Sequence, residues 1–449
     1  MSKIILQGGR LIDPETGLDE TGDLVIEDGR VLALATAAEG GAAEFLAEED
    51  AEILDVTGLL VTPGLIDMHA HLREPGDEEE ETIWSGSRAA VAGGITTVAA
   101  FPNTEPAVDN EASAEFVVLQ GRRAGYANIF PVGTVTLRRE GEELSEMAGL
   151  TKAGAVAFSD ADRCLRSAEM MRRGLLYAKM FDRPVVAFCE DSDLRCGGVM
   201  NYGKVALRHG LPGIPAVSES IIVARDIGIA DITQGRLHIG QLSAAGSVAL
   251  VRQGKESGVE VTAEVTPHHF TLTDECCEYF DPNYKVLPPL RSQADVDALL
   301  EGLRDGTIDV IVSAHAPHTA EEKAVEFVYA PFGVVGLETL FCASYTTLVG
   351  KHGFGVAEVL AKLTINPARL LGLADDRGGL SAGKIADVAV FDVETDRVID
   401  PETFESKGRN TCFGGLTMRG NTVHTFVGGR QVVSEGRVLG PGRESVAAH

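Results

Sequence analysis

Eight short apolar runs recur through the middle of the chain with polar, helix-like segments between them, and no other feature constrains the fold as tightly. They occupy residues 65–69, 95–100, 128–132, 155–158, 184–188, 236–240, 259–265 and 309–313. Each is almost continuously apolar, the pattern of a strand buried on both faces of a parallel sheet. Between them, residues 167–180 and 294–303 space their apolar side chains as amphipathic helices do. Eight strand–helix units predict an α/β fold, a closed (β/α)8 TIM-type barrel with a filled interior. In such barrels the chemistry sits at the C-terminal ends of the strands, so the residues just after each run are the ones to interrogate.

The two ends of the chain read differently. Lys3-Ile4-Ile5-Leu6, Asp23-Leu24-Val25-Ile26 and Ala51-Glu52-Ile53-Leu54-Asp55-Val56 are short strand-like runs punctuated by Gly and Asp. Ala386-Asp387-Val388-Ala389-Val390-Phe391 and residues 422–430 repeat the style near the C-terminus. The 449 residues suffice for a barrel and one smaller domain. The expected division is a composite β-sandwich domain from residues 1–62 plus 380–449, and a barrel over 63–379. The Ala/Glu-rich stretch 36–50 is expected to be a surface loop or helix.

A composition of 44% hydrophobic and 24% charged residues is that of a soluble globular protein. No apolar run reaches the roughly 18–20 residues that span a bilayer. The first residues lack a secretory layout, so the expected location is cytoplasmic. A formal charge of -28 argues against nucleic acid or an anionic membrane as partner, since like charges repel. The densest acidic run, Asp77-Glu78-Glu79-Glu80-Glu81, is expected to be a solvated loop or helix start. Seven cysteines without paired spacing fit a reducing compartment, and none lies in a Cys-x-x-Cys zinc pattern.

His69 and His71 end the first run one residue apart, so both side chains leave the strand on the same side and both can reach one metal ion. On its own, His-x-His is a weak signal. Its surroundings, Pro63-Gly64-Leu65-Ile66-Asp67-Met68-His69-Ala70-His71-Leu72-Arg73-Glu74-Pro75-Gly76, resemble the opening motif of the amidohydrolase superfamily, and the Leu-Arg-Glu-Pro-Gly extension resembles dihydroorotases in particular. The resemblance continues through Ala92-Gly93-Gly94-Ile95-Thr96-Thr97, Phe101-Pro102-Asn103-Thr104-Glu105-Pro106, Thr262-Ala263-Glu264-Val265-Thr266-Pro267-His268-His269, Lys285-Val286-Leu287-Pro288-Pro289-Leu290-Arg291, His315-Ala316-Pro317-His318 and Gly336-Leu337-Glu338-Thr339.

This resemblance implies interconversion of carbamoyl-aspartate and dihydroorotate in pyrimidine synthesis. It implies zinc that polarises the ring carbonyl and supplies hydroxide near neutral pH, with an Asp after the last strand shuttling the proton. Position by position, this chain departs from that set. A bridging Asp of the family is Ala161 here, a ligand His after the fifth strand is Phe188, the next His is Gln241, and the ligand and general-base Asp is Ala314. Four of the six implied ligands are replaced, leaving His69 and His71. No catalytic residue is therefore assigned. The resemblance places Arg73, Asn103 and His318 at the substrate; the alternative for Arg73 is an ion pair with a nearby acid. The family's Asn in the Lys-Val-Asn-Pro-Pro motif is Leu287.

The reading drawn from these residues is a dihydroorotase-family protein without full metal occupancy. It would act as a structural or regulatory subunit with aspartate transcarbamoylase or as a homo-oligomer, and would bind a small carboxylate. Two alternatives stand beside it. One is an active zinc enzyme with an atypical site drawing on Asp160, Asp162, His238 or His315. The other is a metal-free interaction protein on the same fold.

Overall fold

The computed structural model describes residues 3–36 and 51–440. Apart from Thr36, the expected loop or helix at 36–50 lies outside the described residues. The eight apolar runs are the strands of one parallel sheet: Leu65–Ala70, Ile95–Ala100, Asn128–Gly133, Ala157–Phe158, Val185–Phe188, Leu237–Gly240, Val261–Val265 and Val310–Ile311, paired in chain order. Ile66, Met68, Ala99, Val132, Ala157, Val186 and Val310 form one buried cluster drawn from the first five strands and the eighth, as the filled interior of a barrel requires.

The sheet closes between its first and last strands. Ala70 and His315 form a parallel bridge, and the His71 N–H donates to the His315 carbonyl at 2.9 Å. One turn below, the Asp67 carboxylate accepts the Ser313 N–H at 3.0 Å and the Ser313 hydroxyl. Complete burial pushes this carboxyl up to about 6 even though both Ser313 bonds favour its charged form.

The helices between the strands start where the sequence supplies caps. Ser167 precedes Ala168–Lys179 and its side chain accepts from the Met170 N–H. Ser292 and Asp295 form a capping box at the start of Gln293–Arg304.

Strands from both ends of the chain join in a second sheet. The expected sandwich is, in its hydrogen bonding, one continuous sheet of nine strands. Antiparallel pairing of Leu60–Pro63 with Val388–Asp392 ties the N-terminal part to the C-terminal part. Leu60–Pro63 then runs through Gly64 into the first barrel strand. A Cβ at Gly64 would come within 2.3 Å of the Thr96 side chain, so only glycine lets the two sheets meet this closely. Among the described residues, no helix is long and apolar enough to cross a membrane.

Candidate functional site

A cavity of about 310 Å³ opens at the C-terminal ends of the barrel strands. Its wall carries His69 near the end of the first strand, His71 and Arg73 just after it, Asn103 after the second, Ala161 after the fourth and Phe188 at the end of the fifth. Gln241, His268, Ala314 and His318 follow from the sixth, seventh and eighth. Every site residue expected from the sequence therefore converges on one space, as do the four positions where ligands are replaced.

His69 is fixed on three sides. Its ring lies flat on Phe101, with centroids 3.7 Å apart and planes 8° from parallel. Its Nδ1 bonds the Glu264 carboxylate, which also takes His238 Nε2 at 3.1 Å; His238 Nδ1 in turn meets Thr262 Oγ1 at 2.8 Å. Burial opposes the charge on Glu264, but the two imidazoles hold its pKa down at about 2. A carboxylate on Nδ1 turns Nε2 toward the mouth, the usual way of orienting a metal-binding histidine. Here, however, the Gln241 side-chain nitrogen sits 3.4 Å from that Nε2. His71 has its Nδ1 2.6 Å from Asn103 Oδ1, and burial, with His69 and Arg73 close by, holds its pKa well below the usual imidazole value.

A catalytic zinc ion normally draws three protein ligands, from His, Cys or carboxylate side chains. At the four strand ends where the resemblance puts further ligands, the cavity has two methyl groups, a phenyl ring and an amide. The alternative donors do not make up the deficit. Asp160 accepts the Val135 and Thr136 N–H groups at 2.9 and 3.0 Å and the Thr136 hydroxyl at 2.5 Å. Asp162 pairs with Arg139 at 2.6 Å. His238 serves Glu264 below the cavity. His315 is fully buried, with Nε2 3.3 Å from Glu81 and Nδ1 accepting the Gly336 N–H at 3.2 Å.

Among the described residues, one group of at least three His, Cys, Asp or Glu side chains brings its donor atoms within 4.8 Å of one another: Glu80, His318 and Glu322. It lies at the rim, and two of its members already bond each other. A zinc pair does not fit the donor set at the strand ends.

The backbone at these ends retains an unusual shape. Ala161, Gln241 and Ala314 have φ of 58°, 51° and 48°, the left-handed region, as does Arg73 at 60°. Non-glycine residues in that region cost about 1–3 kcal/mol each and persist where the surroundings enforce them, often at functional sites.

Arg73 both lines the cavity and forms an ion pair. Its Nε lies 2.6 Å from Glu80, and one Nη donates to the Pro317 carbonyl at 3.1 Å. The other Glu80 oxygen is 2.9 Å from His318 Nδ1, and His318 Nε2 donates to the Phe332 carbonyl at 2.8 Å. The acidic run is a solvated loop, as expected, at Asp77, Glu78 and Glu79, whereas Glu80 and Glu81 turn inward. Glu81 is fully buried and bound by the Ser85 and Ser406 hydroxyls, the latter at 2.5 Å. Hydroxyl, imidazole and backbone N–H partners make that burial tolerable.

Glu264 and Gln241 are the residues whose part here was not assigned from the sequence. An acid near the end of the seventh apolar run was the available signal for Glu264, since a buried carboxylate demands partners.

Comparison with known proteins places the fold and the lineage. A family model described as Dihydro-orotase-like matches residues 58–247, and one described as Amidohydrolase family matches 346–433. Dihydroorotase from Pelotomaculum thermopropionicum is 49% identical over 437 residues, covering 97% of this chain and 100% of the relative. The chain belongs to the dihydroorotase family. The dihydroorotase of Syntrophus aciditrophicus is 45% identical over 433 residues, covering 96% of this chain and 100% of that one. Among solved structures, an L-hydantoinase (dihydropyrimidinase) from Arthrobacter aurescens superposes with a TM-score of 0.86 at 24% identity, over 98% of both chains, which shows the shared fold. The dihydroorotase relatives carry the name of an enzyme, and none of these likenesses supports the expected loss of activity; they favour the active alternative. The dihydroorotase family is typically metal-dependent, with zinc the consistent metal, and the donor set of this mouth stands against that background.

Proposed function

We propose that this dihydroorotase-family chain serves pyrimidine biosynthesis by binding a small carboxylate at its barrel mouth, without zinc-dependent hydrolysis of its own. The same proposal includes a structural or regulatory partnership with aspartate transcarbamoylase or with further copies of the chain. The observation that carries it is the set Ala161, Phe188, Gln241 and Ala314 facing the cavity at four strand ends. Two imidazoles remain, one of them facing an amide nitrogen. Metal-generated hydroxide is the nucleophile in this class of reaction. Loss of the proton-shuttling carboxylate alone is worth roughly 10²- to 10⁴-fold in rate.

What the mouth retains is suited to binding. Arg73 keeps donors beyond those used by Glu80 and Pro317, and a guanidinium fork matches a carboxylate. Asn103 lines the same wall.

A second reading is an active zinc-dependent dihydroorotase with an atypical site. The relatives' shared name at 41–49% identity over nearly the whole chain favours it. Ring closure of carbamoyl-aspartate by the purified protein, followed by chromatography with and without added zinc, separates the two. No conversion above background is expected. Zinc-dependent turnover would replace the proposal with the second reading. Recovery of aspartate transcarbamoylase with the tagged protein from its own cells tests the partnership.

A further inference from the structure

A second cleft, of about 550 Å³, opens where the underside of the barrel meets the nine-stranded sheet, away from the strand ends that form the mouth. Its wall comes from the end of helix Glu111–Ala124, the start of strand Asn128–Gly133, and the turn between strands Asn421–Val427 and Arg430–Ser434. Arg122, Lys152, Arg377 and Arg430 line it, and no Asp or Glu does. The chain as a whole has a formal charge of -28, so this wall runs against its composition. Two of the cations are answered from outside the wall: Lys152 by Glu111 at 2.6 Å, and Arg377 by the Asp387 carboxylate. The other two are not. Arg122 is exposed and has no hydrogen bond or ion pair among the described residues. Arg430 is half-buried and donates to the Gly125 carbonyl, with no carboxylate partner among the described residues. Burial lowers its pKa, and the group opposing this is the Tyr126 phenol, whose oxygen already accepts from Arg88 at 2.9 Å. The helix end beside them supplies roughly half a negative charge. A positive surplus therefore stands in the cleft.

We propose that this cleft binds a small phosphomonoester, its dianionic phosphate held between Arg122 and Arg430 and its organic body set against Phe130, Val118 and Val427. The site is separate from the barrel mouth and does not depend on what the mouth does. A phosphate answers the unmatched charge: near neutral pH it carries about −1.5 to −2 and offers three acceptor oxygens. Guanidinium forks suit that oxygen pattern, with paired N–H donors. A single carboxylate would leave one of the two cations unanswered. The organic body has room, since pockets for small molecules span roughly 300–1,000 Å³. Phe130 presents a partly exposed ring, with the Arg377 guanidinium over it at 5.9 Å, and the two valines add aliphatic wall. A chain this acidic repels long polyanions, so so local a patch suits a small ligand rather than a nucleic acid. Arg122 belongs to a barrel helix and Arg430 to the second sheet, so one bound phosphate would tie the two parts together.

Isothermal titration calorimetry on the full chain in phosphate-free buffer tests this, with AMP, ribose 5-phosphate and adenosine as probes. Both phosphomonoesters are expected to bind at a single site, about tenfold or more tighter than adenosine, as hydrogen bonds to a charged group usually contribute. Arg122→Gln and Arg430→Gln should each weaken AMP by a similar factor, whereas Arg73→Gln at the mouth should leave its affinity unchanged. Saturating AMP should raise the Tm of the unaltered chain but not that of the chain carrying both cleft substitutions. Arg430→Gln also removes the bond to the Gly125 carbonyl, so circular dichroism checks its fold. Arg122 is exposed and unbonded, so its variant tests the cleft without that cost. No saturable binding of either phosphomonoester, affinity no better than adenosine's, or AMP binding that survives Arg122→Gln or is lost on Arg73→Gln would overturn the assignment.

Discussion

Returning the four replaced side chains in one variant, Ala161→Asp, Phe188→His, Gln241→His and Ala314→Asp, should create a zinc site that the unaltered chain lacks. The backbone favours success. Three of the four positions already hold left-handed φ values of 58°, 51° and 48°, and Asp and His enter that region more readily than most residues. Glu264 already bonds His69 Nδ1, so one ligand is oriented in advance. Without metal, the variant gathers two carboxylates at a buried mouth and loses the Phe188 ring, so it should melt below the parent. A ligand at a thousand times its dissociation constant stabilises a fold by about 4 kcal/mol. At roughly 2–4 °C per kcal/mol in domains of 150–250 residues, and less in larger chains, saturating zinc should raise the variant's Tm by roughly 5 °C or more. The parent should shift by less than about 1 °C on the same scale. Scanning fluorimetry with and without zinc reads the difference, and circular dichroism confirms that the variant is folded. An equal zinc-dependent shift in the parent, or none in a natively folded variant, would refute the argument from donor geometry.

Three further outcomes follow from the same contacts. Glu80→Gln removes the charge that neutralises Arg73 at 2.6 Å, so orotate affinity by calorimetry at low salt should rise several-fold, with the gain shrinking as salt is added. Asp67→Ala strips the Ser313 N–H and hydroxyl of their acceptor across the barrel's closing seam; it should cost about 3 kcal/mol, visible as a lower Tm. Burial raises the Glu338 carboxyl from 4.5 to about 8, against the pull of N–H bonds from Ser406 and Glu405. Below about pH 4.5 the group is neutral in folded and unfolded chains alike. From there to about pH 8 the unfolded chain ionises it and the fold does not, so stability falls as pH rises. Glu338→Gln should therefore leave Tm unchanged near pH 4 and raise it at pH 8–9, and a Tm difference independent of pH would contradict this.

The barrel was legible because each of its strands is buried on both faces, so each appears as a continuous apolar run; the ends were misjudged by no more than two residues. Residues 236–240 and 259–265, for example, became Leu237–Gly240 and Val261–Val265. The site was legible as a set of positions, since His69, His71, Arg73, Asn103 and His318 do meet around one cavity. What could not be read was pairing between distant segments. Nothing in Asp77–Glu81 distinguishes the two acids that turn inward from those left in water. Glu80 is inward because Arg73 and His318 reach it, and Glu81 because Ser85, His315 and Ser406 surround it. Likewise the role of Glu264 depends on His69 and His238, one from 195 residues and one from 26 residues earlier in the chain. The continuous nine-stranded sheet depends on Leu60–Pro63 meeting Val388–Asp392, a register that alternation alone does not encode.

The most direct test of the central claim is the metal content of the unaltered chain. The protein would be purified without chelator, equilibrated with excess zinc, freed of loosely held ion and measured by plasma mass spectrometry. With Ala161, Phe188, Gln241 and Ala314 at the strand ends, the account predicts well under one zinc per chain, and any zinc retained should be lost on Glu322→Gln at the rim rather than on His69→Ala. One or two zinc ions per chain, retained through exhaustive dialysis and lost on His69→Ala, would contradict it.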